Sequence, residues 1–419
     1  MTQFALILIL LALGAQTGNA IANVSIESLT TVDSAGGAFQ NPSQTSFFAI
    51  GRQWVFYVEN VPGHCDITDA PLCFVYYATN NGTGWSIYNS TKRIDPFCCG
   101  DNIAAPGLSV DTNGTYVFVV ADGIGPNLAF HYGKLNLNGT ISWKGDANVA
   151  EAASPTYLRL NTNNDVFVSY SNDSTFVSWS SAPYTTWSSF PLASTSSNAI
   201  AIAQLSKGHV YVAYHPLTPP VGLSFTIYGR EWNGTLWGPQ ETVTTTTTSP
   251  TRLFLFRDSP HSIRIFYQGQ CSNCPYTIQT ATRMLTRTTS WSPPTIIFSD
   301  PFSSVFDYIG AITHDPELHM YFLLVYSSFQ AATEIDLYSW SGKNLSEFVG
   351  PTLYAPSLVF QRTQVQLCCS IVGDLTTHQI SMRSQSYSAY YALSPSSLRP
   401  PVIYGQTITL HSRQETSQS

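Results

Sequence analysis

Eight asparagines, Asn23, Asn81, Asn89, Asn113, Asn138, Asn172, Asn233 and Asn344, each stand two residues before Ser or Thr with no Pro between. The chemistry open to that tripeptide is transfer of an N-linked glycan to the carboxamide nitrogen. At Asn81, Asn113, Asn138 and Asn233 it reads Asn-Gly-Thr. That is also good turn chemistry, so local folding accounts for those four as well as glycosylation does. Eight cysteines supply a second chemistry. An even count in an exported chain favours disulfides over metal ligands. Cys65 with Cys73, and Cys271 with Cys274, can each staple one loop. The neighbours Cys98-Cys99 and Cys368-Cys369 either cross-link distant parts of the chain or form strained vicinal bridges.

Both chemistries need an export route. The opening MTQFALILILLALGAQTGNAIA has a short apolar run from Phe4 to Leu13 followed by small residues. That pattern predicts a signal peptide over residues 1–22, cleaved after Ala20 or Ala22, although no Lys or Arg precedes the run. An uncleaved anchor is the competing reading, and the run is shorter than the ~20 residues a bilayer needs. No later stretch is apolar enough to span a membrane, and the terminal HSRQETSQS carries no lipid-anchor signal.

Other chemistry finds little support. The chain lacks a Gly-x-Ser-x-Gly elbow, a His-Glu-x-x-His pair, a phosphate-binding Gly-Lys loop and a dinucleotide fingerprint. His131, His215, His314 and His319 read as polar surface or channel residues rather than a metal set. The stretches around Asp111 and Asp165 suit calcium, and suit plain β-turns equally. No catalytic residue, metal or cofactor is assigned. Charged residues make up 10% of the chain, against about 25% in ordinary soluble domains. A surface so poor in charge suits a glycan-coated or assembly-forming protein. Net charge is −7 with no basic cluster, which argues against a nucleic-acid partner.

The elements that must position these residues announce themselves as a repeat. Strand-like runs recur as WVFYV at 54, YVFVV at 116, VFVSY at 166, VYVAY at 210, IRIFY at 263, MYFLLVY at 320 and ISMRS at 380. Each follows a polar turn (IGRQ, DTNG, NTNND, LSKG, RDSP, THDPE, GDLTT) and, before that, another run (SFFAI, PGLSV, TYLRL, IAIAQL, RLFLF, YIGAI, QLCCSIV). These pairs read as hairpins. A third run follows, then a turn, then an aromatic that opens a fourth run: Trp85, Trp143, Trp187, Trp237 and Trp291. The last two units depart, with Phe348 in the sixth and Leu398-Arg399 in the seventh. Four strands in each of seven units, 44 to 62 residues apart, predict a seven-bladed β-propeller of antiparallel four-stranded blades, with six blades as the lesser reading. The predicted domain spans residues 23–410, with a polar tail at 411–419. The recurring Trp is expected to pack between blades. Either VSIESLTTVD at 24–33 or PPVIYGQTITL at 400–410 is expected to close the seventh blade, the other being an extra edge or tail. One blade is expected between Cys98-Cys99 and Cys368-Cys369.

The turn before the Trp resembles the degenerate Asp-box repeats of sialidase-like propellers, with Asn80-Asn81-Gly82-Thr83-Gly84-Trp85 the nearest match and Trp232-Asn233-Gly234-Thr235-Leu236-Trp237 sharing Gly and Trp. The Ser and Asp of the full box are missing. The phrase is also similar to the repeats of fucose-binding fungal lectin propellers. The sialidase resemblance implies arginines that grip a carboxylate and a Tyr nucleophile backed by a carboxylate. Arg159 and Arg252, in candidate innermost strands, and Tyr308 beside Asp307 are the residues that fit those roles. Ordinary glycosidases need two facing carboxylates, and no spaced acidic pair stands out. Two functions follow. The first is a non-catalytic extracellular glycoprotein that binds glycan or protein, or assembles at the cell surface. The second is a sialidase-like glycan hydrolase.

Overall fold

Successive side chains along a strand point to opposite faces. A run such as Val210–Pro216, buried at every position, therefore needs cover on both sides. The computed structural model provides it by stacking sheets. It describes residues 21–26, 30–33, 45–64, 71–90, 97–98, 108–122, 127–151, 154–217, 224–270, 276–285, 290–300, 308–315, 320–329, 332–340, 345–347, 369–374, 384–393 and 402–412. Among these residues the chain is all-β, with five four-stranded antiparallel sheets, two of five strands, and no helix.

Each sheet is a meander counted outward from its first strand. The first comprises Ser46–Ala49, Arg52–His64, Pro71–Asn80 and Trp85–Asn89, with Phe97–Cys98 beside the third strand. The second comprises Leu108–Thr112, Tyr116–Asp122, Asn127–Leu135 and Ile141–Glu151, and the third Ser154–Leu160, Val166–Ser171, Thr175–Ser180 and Ser188–Ala193. The fourth holds Ser197–Gln204, Val210–Pro216, Phe225–Trp232 and Glu241–Thr246, and the fifth Ser249–Ser259, Ser262–Gln270, Tyr276–Met284 and Thr295–Asp300. The sixth holds Tyr308–Asp315, Met320–Phe329, Ala332–Trp340 and Leu345–Glu347. First strands of consecutive sheets touch one another, and Cys369–Asp374 touches Ser46–Ala49.

The last sheet corrects the sequence-based expectation. Its second strand is Ser384–Leu393, with Cys369 opposite Tyr391 and Asp374 opposite Ser386. The run expected in that place, ISMRS, lies mostly outside the described residues. The third strand is Val402–Ser412 and the fourth is Ile21–Ile26, while Thr30–Asp33 also pairs with Val402–Ser412. Neither end segment is an extra edge or tail, because the sheet uses both. Cys98 pairs with Leu72 and so belongs to the first sheet, a direct neighbour of the sheet that holds Cys369. No sheet intervenes between them.

Seams between sheets are apolar layers crossed by a few polar ties. Trp54, Phe56 and Tyr77 of the first sheet pack with Val110, Val117 and Val119 of the second. Phe118 and Phe130 of the second pack with Leu158 and Val168 of the third. One larger cluster joins the third, fourth and fifth sheets, and Phe266 packs with Tyr321, Leu323 and Trp340 across the fifth and sixth. In that last seam Asp258 accepts hydrogen bonds from Arg264 (3.0 Å) and Tyr321 (2.7 Å). The guanidinium of Arg264 lies 4.7 Å from the Trp340 ring centroid. The first sheet is tied to Thr30–Asp33 by the Tyr57 hydroxyl, which donates to Asp33 Oδ2 at 2.5 Å with both residues buried.

Candidate functional site

Among the described residues no strand pairs with the free edge of a first strand, and side chains satisfy part of that edge. Leu158 N–H donates to Ser109 Oγ (2.9 Å) and Leu160 N–H to Asp111 Oδ2 (3.0 Å), tying the third sheet to the second. Thr112 N–H donates to the other carboxylate oxygen of Asp111 at 2.8 Å. Burial pushes the Asp111 carboxyl above the usual range, against the pull of Arg159 and of those two N–H groups. Tyr157 reaches from the third sheet to the fifth, where its hydroxyl donates to the Leu253 carbonyl at 2.8 Å. The same buried cluster includes Ala199 and Ala201 of the intervening fourth sheet. Burial raises the Tyr157 phenol far above its ordinary value, with Arg159 and Arg252 pulling it back. The two arginines singled out in the sequence thus act on one buried phenol from the first strands of different sheets. Both are partly exposed. Tyr308 opens its strand, whereas Asp307 lies outside the described residues.

A second constellation, unforeseen from the sequence, joins the fourth and fifth sheets. Glu231 accepts from His209 Nδ1 and from Arg283 Nη1, each at 3.0 Å. Glu241 pairs with Arg283 Nε at 3.3 Å and accepts from Trp291 Nε1 at 3.1 Å and from the Tyr211 hydroxyl. Burial first, then the Glu241 charge, pushes the Tyr211 phenol well above its usual range. Two carboxylates therefore share one guanidinium. That arrangement makes the group a staple between the fourth and fifth sheets.

The sequons fall into distinct settings. Asn81, Asn138 and Asn233 are exposed in third-to-fourth-strand turns. In each turn the carboxamide oxygen accepts from the N–H and hydroxyl of the Thr two residues on, Thr83, Thr140 or Thr235. Asn113 occupies a first-to-second-strand turn and donates from Nδ2 to Asn164 of the next sheet at 3.1 Å. Asn89 ends a fourth strand and donates to Tyr76 at 2.9 Å. Asn172 lies in a second-to-third-strand turn, its carboxamide oxygen accepting from Asp173 N–H. Asn23 is in Ile21–Ile26, and Asn344 lies outside the described residues. Cys73, Cys98 and Cys369 are in strands, while Cys65, Cys99, Cys271, Cys274 and Cys368 lie outside.

Trp85 opens a fourth strand, and Trp143 stands inside one. Trp187 packs edge-on to Phe130 of the preceding sheet at 5.1 Å, Trp237 stacks on Phe190 at 5.8 Å, and Trp291 meets Tyr211 at 5.6 Å. Trp237 and Trp291 form isolated bridges with Trp232 and Arg283, and neither opens a strand. Asp165 accepts from Asn161 Nδ2 (2.8 Å) and from the Ser181 hydroxyl (2.5 Å), so its oxygens serve a turn. Among the described residues no three His, Cys, Asp or Glu cluster in a way that holds a metal ion, and no helix is long and apolar enough to cross a membrane.

No family model matches the chain, and no curated protein matches its sequence. Among solved structures, a polysaccharide lyase of family PL25, an ulvan lyase, superposes with a TM-score of 0.54 at 12% identity, covering 90% of this chain and 95% of that one. AofleA from Arthrobotrys oligospora gives 0.45 at 11% identity over 77% and 88%, and Trypanosoma rangeli sialidase in complex with sialic acid gives 0.43 at 8% over 92% and 58%. At such identities the likeness is one of architecture, and the architecture is that of the β-propellers.

Proposed function

We propose that this chain is a secreted, N-glycosylated propeller of seven blades that binds glycan or an extracellular protein without catalysis. Seven sheets whose first strands touch in sequence, the last touching the first, support the blade number. Glycan is favoured as ligand because propellers of this architecture host glycan chemistry, as in the ulvan lyase solved with -[GlcA(1-4)Rha3S]-. The observation that carries the non-catalytic reading is the engagement of the polar groups that the first strands carry. Tyr157 gives its hydroxyl to Leu253, and Asp111 gives both oxygens to backbone N–H groups. A nucleophile or acid needs those atoms for substrate.

The approach of Arg159 and Arg252 to one phenol favours the alternative, a sialidase-like hydrolase with an anionic substrate. One preparation separates the two readings. The purified secreted protein is applied to a glycan array, incubated with the glycans it retains, and imaged by electron microscopy at neutral pH before and after deglycosylation. Retention without sugar release supports the binding protein. Sugar release that disappears in Arg159→Ala establishes the hydrolase. Filaments or sheets would make the chain a structural subunit that uses its outer strands for assembly.

A further inference from the structure

The Asn-Gly-Thr turns hold a second chemistry, internal to the chain: attack by the backbone nitrogen of the glycine on the carboxamide carbon of the asparagine before it. Asn81, Asn113, Asn138 and Asn233 share the tripeptide and are all exposed. Glycine puts least bulk at the attacking nitrogen, and asparagine is among the thermolabile residues. The shared tripeptide gives the four sites near-equal intrinsic reactivity, so differences between them come from the fold.

The fold holds three of the nitrogens and leaves the fourth. Gly82 N–H donates to Asn80 Oδ1 (2.7 Å), Gly114 N–H to Thr112 Oγ1 (3.0 Å) and Gly139 N–H to the Asn136 carbonyl (2.9 Å). None of these acceptors is a base, so each bond must break before its nitrogen can lose the proton and attack. Among the described residues Gly234 N–H has no acceptor. Gly139 is also buried and hemmed in by Thr79 and Arg52, whereas a Cβ at Gly234 would meet nothing within 4 Å. The electrophile is best prepared at the same turn. The Asn233 carboxamide oxygen accepts three hydrogen bonds, from Thr235 N–H (3.0 Å), the Thr235 hydroxyl (2.9 Å) and Leu236 N–H (2.9 Å). The oxygens of Asn81, Asn113 and Asn138 accept two each. Donors aimed at an oxygen that gains negative charge lower the barrier to attack on its carbon.

We propose that Asn233 is a site of self-modification, converting to aspartate and isoaspartate ahead of the other three. The Gly234 nitrogen bonds to Asn233 Cγ, the Cγ–Nδ2 bond breaks, and Nδ2 leaves as ammonia with the proton that Gly234 gives up. Water then opens the cyclic imide at either carbonyl. Both products add a negative charge two residues from Glu231, which holds Arg283 of the fifth sheet. Isoaspartate also lengthens the main chain inside a turn closed by Asn233 N–H on the Leu236 carbonyl (3.1 Å) and by the Trp232–Trp237 bridge. A sugar on Nδ2 takes that nitrogen out of the reaction, so the site belongs to the bare chain and stands independently of the secreted reading above.

The test follows the full chain produced without N-glycans, in glycosylation-deficient cells or a bacterial periplasm, and held folded at mildly alkaline pH. Peptide mapping by mass spectrometry reads asparagine, aspartate and isoaspartate at the four positions over time. Asn233 should convert roughly three- to tenfold faster than Asn81, Asn113 or Asn138, the rate equivalent of one hydrogen bond that need not be broken first. In a denatured digest the four rates should converge. Asn80→Ala and Thr112→Val each remove the acceptor of a held glycine, and should raise conversion at Asn81 and Asn113 respectively by the same factor while Asn233 keeps its rate. The two variants lie in separate turns, so either suffices if the other fails to fold. An Asn233 no faster than the other three in the folded chain would overturn the proposal, as would a spread of rates that persists in the digest. Variants that leave Asn81 and Asn113 at their wild-type rates would overturn it too, because the acceptors would not then set the order.

Discussion

Single side chains decide the seams. Asp258 is raised by burial and lowered by the hydrogen bonds of Arg264 and Tyr321 and the charges of Arg264 and His314; the lowering prevails. A carboxyl held below its unfolded value of about 3.9 contributes stability that is complete above roughly pH 4 and lost as pH falls through the folded value. Asp258→Asn should therefore melt below wild type at pH 7, and the gap should narrow as melts are taken toward pH 3. Tyr57→Phe removes the donor to buried Asp33 and should cost about 1–3 kcal/mol in urea titrations. At this scale the sequence told least. Glu231 and Arg283 are 52 positions apart, and nothing in EWNG or ATRM marks them as partners. Arg159 and Arg252 drew notice because both sit in candidate innermost strands.

Among elements, strands were read better than the turns between them. TYLRL, RLFLF and YIGAI, with the SFFA, LSV, IAIAQ and SIV of the other runs, fall in first strands, because β-branched and aromatic runs bounded by turn residues have few other fates. The seventh unit misled because ISMRS carries the same apolar spacing as a second strand, and spacing says nothing of register. Close approach was equally hidden. A Cβ on Gly229 would run into the Tyr211 hydroxyl, which also holds Glu241 and Trp291. Gly229→Ala should cost about 1–3 kcal/mol by overpacking, and adding Tyr211→Phe should recover part of that loss in the same thermal melts. Gly139 is bound by conformation as well as space, with φ +88° and a Cβ that would meet Thr79 Cγ2 at 2.7 Å.

For the whole molecule, closure is the property that matters. Deleting residues 21–33 strips Val402–Ser412 of both outer partners. An unpaired edge of that length templates association. The truncated protein should scatter light and elute as aggregate on size exclusion where the full chain elutes as a discrete species. The repeat made the ring legible from sequence, while the meeting of its ends was legible only as two rival segments, since pairing across the whole chain leaves no local signature.

That meeting has a consequence in time. Val24 pairs with Leu410, so the earlier strand leaves the ribosome long before the partner it waits for. At roughly 5–20 residues per second the wait is on the order of 20–80 s. Throughout it the nascent chain carries an unmatched strand at one end and an unfinished sheet at the other. The yield of mature protein is then governed by whatever shelters those two surfaces during translation, and a slow-translating tract between the two strands would lower it without changing a single residue.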